Sequence, residues 1–308
     1  MQFSRIKKQV FGPLCIALAI ALWLSLTMFN TAKAQTVSVG ITPVTFKVLQ
    51  SHLDLKGQRP TILERNACPH LKSEKIDGIG RALVELFILC NAIYESGIAT
   101  KIELIHHLPH RRRLTEIAAG RIDVSGSTIF PEGLKNVFGK TLPLLSDDVL
   151  RVNEFEKAIF TLPGRAEVLA VRSLQELRNF KAVIVKNWRV DVKTLKAIKL
   201  KRVVEVSNPQ AYADIIQIVR ADFIISEFNS VTSQPWAKNM MRVPGIKIAL
   251  TSPRIFPVSP TRDDILHVLN SFLRKSRSAG GDLIKTAYQK SGFLSPEFSN
   301  WILLFPEN

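Results

Sequence analysis

From Thr36 to Val48 apolar and polar residues alternate weakly, which predicts one or two strands. Ser51 to Arg59 is polar and turn-like, and Pro60 to Glu64 reads as a short strand. Asp77-Gly78-Ile79-Gly80 then opens a helix whose apolar positions are Leu83, Leu86, Phe87, Cys90, Ile93 and Tyr94, with Gly97 as its C-terminal cap. Lys101 to His107 reads as a strand with Ile102, Leu104 and His106 on one face, and Arg111 to Ala119 suits a helix. The same alternation runs on. Extended segments are expected at Glu156 to Thr161, Glu167 to Val171, Lys181 to Val185, Val203 to Val206, Asp222 to Ser226, Ile246 to Leu250 and Pro257 to Ser259. Helices are expected at Val192 to Ile198, Pro209 to Val219, Asp263 to Arg277 and Gly281 to Ser291. Ser173-Leu174-Gln175-Glu176 has the spacing of a capped helix start, and the aromatic segment Phe298 to Leu304 packs onto the body. Strand and helix in turn predict an α/β protein with a parallel sheet.

The amino end stands outside this pattern. Arg5, Lys7 and Lys8 precede the almost wholly apolar run Phe11 to Phe29, and Ala32-Lys33-Ala34 follows. That is the order of a secretory signal peptide spanning residues 1–34, which predicts export to the periplasm by cleavage before Gln35. An uncleaved membrane anchor is the competing reading, since the run is long enough to span a bilayer. Cys15 lies without the small residues of a lipoprotein site before it.

The chain carries a formal charge of +16, of which residues 1–34 supply four basic and no acidic residues. Such an excess draws anions from a distance, although scattered basic residues most simply form a solvated surface. The one concentration is Lys193, Lys196, Lys199, Lys201 and Arg202. Without interleaved aromatics it does not make a nucleic-acid surface. After cleavage two cysteines remain, Cys68 and Cys90. An oxidising compartment permits a disulfide between them, while the apolar surroundings of Cys90 suit a free buried thiol equally.

The candidate chemistry gathers at Gly120-Arg121-Ile122-Asp123-Val124-Ser125-Gly126-Ser127-Thr128-Ile129-Phe130-Pro131-Glu132, a short strand running out into small hydroxyl residues. Such an edge offers donors and acceptors without filling space. Arg220-Ala221-Asp222-Phe223 repeats the form of Arg121-Ile122-Asp123-Val124, each phrase following a helix and starting a strand, so two similar halves are expected.

Gly78-Ile79-Gly80, Gly120-Arg121-Ile122-Asp123, Ser173-Leu174-Gln175-Glu176-Leu177 and Arg220-Ala221-Asp222, in this order, resemble the amino-acid type of periplasmic solute-binding protein (family 3) over about Pro60 to Tyr288. The resemblance implies the two-lobed type 2 periplasmic-binding fold with two hinge strands. Lobe 1 takes residues 35–150 plus 244–308 and lobe 2 takes 151–243. It further implies a monomer without a cofactor. Such a protein closes on a small polar, amino-acid-like ligand and presents it to the permease of an ABC transporter or to a sensor. The family's hydroxyl positions match Ser127 and Thr128, and its acid for the ligand ammonium matches Glu227. The arginine that forks onto the ligand carboxylate has no match. An ungapped count lands on Lys135 and an alignment through Phe130-Pro131-Glu132 lands on Gly133. Lysine supplies a point charge without a planar fork.

Further candidates come from the residues themselves. Trp188, between a strand and a helix, offers a stacking platform, with Arg189 and Asp191 beside it solvated or mutually paired. Arg111, Arg112 and Arg113 open a helix where positive charge is disfavoured, so a surface position is the simpler reading, and the alternative is that one of them, Arg113 in our choice, reaches the cleft. Glu64 and Arg65 end the strand before the first helix. Adjacent His106 and His107 face opposite ways on a strand, so with His110 they do not make a metal site. Gly78 and Gly80 lack the third glycine of a dinucleotide fingerprint, and no Gly-x-Ser-x-Gly elbow is present. Two alternatives to a binding protein remain open: a dehydratase-like enzyme using Glu227, and a binding-like domain acting in protein interaction.

Overall fold

Val37 and Val39, on one face of the first alternating segment, are fully buried in strand β1 (Thr36–Gly40) of the computed structural model. The structure describes residues 35–53, 62–134, 141–230, 234–278 and 281–306. The proposed signal segment 1–34 and Lys135 lie outside the described residues.

The strand does not run on to Val48. Helix α1 (Pro43–Leu53) replaces it. The Thr45 N–H donates to the Thr42 hydroxyl at 2.9 Å, and proline takes the first helical position, so cap chemistry overrides the weak alternation. After the two-residue strand β2 (Ile62–Leu63) comes α2 (Gly80–Ser96), in which every residue from Leu83 to Tyr94 is buried. A helix apolar nearly all round belongs in a core, and α2 packs against α1 and two later helices. Gly97, at a φ of 72°, ends it in the left-handed region open to glycine. Then follow β3 (Lys101–Ile105), α3 (His110–Ala118), β4 (Val124–Ser125) and β5 (Leu144–Leu145).

The middle of the chain gives β6 (Glu156–Thr161), α4 (Ala166–Leu169) and α5 (Leu174–Leu177). The expected extended segment Glu167 to Val171 is therefore a short helix, closed by N–H groups of Val168 and Leu169 donating to the Arg165 carbonyl. The start at Ser173 is as the sequence suggests, with the Glu176 N–H donating to the Ser173 hydroxyl at 3.2 Å. Next come β7 (Lys181–Val185), α6 (Arg189–Ala197), β8 (Arg202–Val206), α7 (Tyr212–Gln217), β9 (Ile224–Ser226) and β10 (Met241–Ala249). The chain ends with β11 (Pro257–Val258), α8 (Asp263–Ser278), α9 (Leu283–Lys290) and β12 (Ile302–Phe305).

These strands make a mixed α/β fold. One sheet has the order β2-β3-β1-β4-β11-β5, with β1 parallel to both β3 and β4. A second has the order β12-β10-β6-β9, and β7 pairs in parallel with β8. A parallel bridge from Ala182 to Phe223 links β7 to the approach of β9. Residues 36–308 form one unit by their internal contacts.

The two Arg-x-Asp phrases do the same structural work. Asp123 Oδ2 accepts the backbone N–H of Ser38 on β1 at 2.7 Å, and Oδ1 pairs with Arg262 at 2.8 Å. Asp222 Oδ2 accepts the backbone N–H of Lys181 on β7 at 2.7 Å, and Oδ1 pairs with Arg165. Each carboxylate thus ties a neighbouring strand to its own and takes an arginine from elsewhere. Cys68 and Cys90 are joined by a disulfide, with Cα atoms 6.2 Å apart, which pins the loop after β2 to the middle of α2.

Candidate functional site

Parallel strands leave unpaired backbone and side chains at their carboxyl ends, where ligands of open α/β sheets sit. At the ends of β1 and β4 lie Gly40, Ser125, Ser127 and Thr128. The amino end of α2 comes to the same edge and contributes Arg81 and Glu85.

Glu85 is fully buried, and its carboxylate organises the edge. It accepts the Thr128 N–H at 2.9 Å and the Thr128 hydroxyl at 2.6 Å. It also accepts from Arg81 Nη1 at 3.1 Å and from the Tyr288 hydroxyl at 3.3 Å. The Thr128 oxygen serves twice, since it also accepts from Arg254 Nε at 2.8 Å. Arg254 lies 4.6 Å from the centroid of Phe130 and 3.8 Å from Glu85. Burial lowers its pKa to about 10, and the neighbouring Arg81 pushes the same way.

From the second sheet, Glu227 follows β9 directly and accepts from Arg81 Nε at 2.9 Å. Burial raises the Glu227 carboxyl, but the pull of Arg81, Lys157 and Arg254 outweighs it and holds the group below the usual carboxylate range. The Arg81 guanidinium also lies 5.7 Å from the Phe155 ring and 5.9 Å from that of Phe293. Lys157 on β6 pairs with Asp191 on α6, and its ammonium sits 5.4 Å from the Trp188 ring. Asp191 is therefore a buried partner of Lys157, not a solvated neighbour of Arg189.

Arg113 is the outlier. It is 1% exposed, and its aliphatic stem lies over Gly40, where a Cβ would come within 2.7 Å of Cγ and Cδ. Nη2 donates to His110 Nδ1 at 3.0 Å and to the Ser127 hydroxyl at 3.4 Å. Among the described residues Nε and Nη1 have no partner. Burial lowers its pKa to about 10, with no carboxylate offsetting the effect. The His110 ring is pushed down to about 4 by loss of solvation, then by Arg113 and Arg254, so it is neutral near pH 7.

Of the residues singled out from sequence, the structure brings Thr128 and Glu227 into one network through Arg81 and Glu85. Ser127 joins Arg113, and Trp188 joins the same region through Lys157, whose charge acts on Glu227. Glu64 does not join. It is exposed at the end of β2, where it precedes a short 3-10 turn. His106 stacks on Phe46 with ring centroids 3.6 Å apart, and among the described residues no cluster of His, Cys, Asp and Glu is placed to hold a metal. Sequence reasoning missed Arg81, Glu85, Lys157, Arg254 and Tyr288. Glu85 had a readable signal, a lone carboxylate inside the apolar run Leu83 to Ile93, because an isolated buried charge demands partners.

No protein-family profile and no curated protein sequence matches this chain. Among solved structures, the similar chains include amino-acid-binding proteins. An ancestral arginine-binding protein bound to glutamine aligns over 83% of this chain and 96% of its own, at 18% identity and a TM-score of 0.46. A variant of ArgBP from T. maritima aligns over 83% of this chain and 95% of its own, at 15% identity and a TM-score of 0.43. An ancestral amino acid-binding protein, a precursor of cyclohexadienyl dehydratase, aligns over 83% and 94%, at 15% identity and a TM-score of 0.45.

Proposed function

We infer that this protein is a solute-binding protein that closes on a small polar, amino-acid-like ligand. The observation that carries the reading is the contact between Glu227, at a strand end of one sheet, and Arg81, on a helix beside the other. Around that contact Glu85, Arg254, Lys157 and Asp191 are buried among Phe130, Phe155, Phe293 and Trp188. Clustered buried charge is costly to a fold and is typical of ligand sites. In this reading residues 35–150 with 244–308 and residues 151–243 act as two lobes, and ligand binding shifts them toward the closed state. The segment 1–34 directs export and is cleaved, and the closed protein is handed to the permease of an ABC transporter or to a sensor.

One observation favours a second reading. Arg81 already satisfies Glu227 from within, so the seat expected for a ligand ammonium is filled by the chain itself. That suits a binding-like domain serving in protein interaction. A dehydratase role for Glu227 is less well supported, because a carboxylate held below its usual range is a weak base near neutral pH.

A thermal-shift screen of the full chain against amino acids, small organic acids and amines separates these readings, since a ligand bound only by the folded state raises the melting temperature. A solute-binding protein responds to a narrow chemical class. A flat response to every compound, together with a protein that co-purifies, would overturn the ligand-binding reading in favour of the interaction domain. Catalytic turnover abolished by Glu227→Gln would overturn it in favour of the enzyme.

A further inference from the structure

We propose that Arg113, with Ser127 beside it and the amino end of α3 behind it, is an oxyanion subsite that takes the carboxylate of a small ligand. This rests on the reading of the protein as a solute-binding protein and names the charge class of its ligand.

Among the described residues four cations line the region: Arg81, Arg254, Lys157 and Arg113. Three carboxylates answer them, and all three are engaged: Glu227 with Arg81, Glu85 with Arg81 and Arg254, and Asp191 with Lys157. Arg113 is left over. A guanidinium carries five N–H donors in a planar fork, and here Nε and Nη1 find nothing to donate to. A buried, unpaired charge is unfavourable, and a partner arriving from outside would relieve it. An oxyanion fits the fork in shape and sign.

The surroundings agree. Helix α3 opens His110-Arg111-Arg112-Arg113 with no acidic residue in its first turn, so its amino end adds positive potential. Gly40 leaves the space in which the Arg113 stem lies, and any side chain there would displace it. The Ser127 hydroxyl, half-buried at the carboxyl end of β4, is a second donor beside the guanidinium. His110, at the opening of α3, holds Nη2. The ammonium side of the site is already answered by Arg81 on Glu227, so the net demand of the region is for negative charge.

The test uses the full chain and matched pairs that differ only in the anion: succinate against succinamide, and alanine against alaninamide. Thermal shift and calorimetry are expected to show binding of an acid at least tenfold tighter than of its amide. Arg113→Met keeps the stem and removes the charge. It should raise the melting temperature of the unliganded protein and abolish the preference for acid over amide. Arg113→Lys should weaken acid binding about tenfold, since a point charge replaces the fork. If Arg113→Met folds poorly, Gly40→Ala, which displaces the stem, should abolish the same preference. Amides bound as tightly as acids would overturn the subsite and leave the solute-binding reading standing. A lower melting temperature for Arg113→Met with the acid preference intact would do the same and make Arg113 structural. No response of the unmodified protein to any of the four compounds or to the wider screen would overturn both.

Discussion

Arg81 and Glu227 meet at 2.9 Å although they lie 146 residues apart, one in the first turn of α2 and the other just past β9. Both side chains are partly shielded, so the pair is worth more than a surface ion pair and less than a fully buried one. Glu227→Gln is expected to destabilise the protein by about 1 kcal/mol. Because the folded carboxyl sits below its ordinary value of 4.5, the pair's contribution is present above that pH and fades as the pH falls through the depressed folded value. The Gln variant should lack that acid-limb loss. Identical acid-denaturation curves for the two proteins would show that the contact adds nothing.

Glu85 is the centre of the buried network, and its removal is the more damaging change. Glu85→Ala leaves Arg81 and Arg254 facing each other without a common counter-charge and strips Thr128 of two acceptors. The expected cost is about 3–5 kcal/mol, measured by denaturant unfolding with an unchanged slope. A loss below about 1 kcal/mol, the range of an exposed ion pair, would mean that the network relaxes freely.

Much of the α/β order was legible because buried strands and amphipathic helices keep their periods. Lys181 to Val185 was read at its observed ends, and the α2 face from Leu83 to Tyr94 was read by spacing. The misread segments are those where local hydrogen bonds close a helical turn: the Thr42 side chain caps α1, and the Arg165 carbonyl accepts from Val168 and Leu169. The site was half legible. Ser127, Thr128 and Glu227 stand at strand ends, where phrase and position agree. Arg254 meets Thr128 across 126 residues and Tyr288 meets Glu85 across 203, contacts for which no local pattern exists. Asp191 looked solvated because its partner Lys157 lies on another element.

The equivalence of Asp123 and Asp222 makes a paired prediction. Each holds a backbone N–H of the adjacent strand and one arginine, so Asp123→Ala and Asp222→Ala should each cost about 1–3 kcal/mol. Since they belong to different sheets and share no partner, the double variant should show the sum. Neither should alter ligand preference, which separates this strand-tying role from that of Ser127 and Thr128. A change in preference on Asp123→Ala alone would place it in the site instead.

His110 gives a second pH dependence with a different onset. Its folded pKa, about 4, lies below the ordinary histidine value of 6.5, so the unfolded chain binds the extra proton. The stability gained by keeping the ring neutral is full above pH 6.5 and is lost progressively toward pH 4, as Arg113 and Arg254 repel the charged ring. His110→Ala should flatten the melting temperature between those limits, leaving the later loss that belongs to Glu227. An unchanged slope in the variant would assign the effect to other groups.

The disulfide should matter to stability more than to the site. It closes a loop between residues 22 apart, which on chain-entropy grounds contributes about 3 kcal/mol. The Asn91 side chain, next to Cys90, donates to the Pro69 carbonyl at 2.9 Å and to the Phe87 carbonyl at 2.8 Å. It therefore holds the same loop without the covalent bond. Cys68→Ala/Cys90→Ala is expected to lower the melting temperature by about 5–10 °C while leaving the ligand response intact. Adding Asn91→Ala to that variant should free the loop, read as faster proteolysis at 64–72. If the double cysteine variant alone already loses its ligand response, the loop is coupled to the site through α2, whose first two turns carry Arg81 and Glu85.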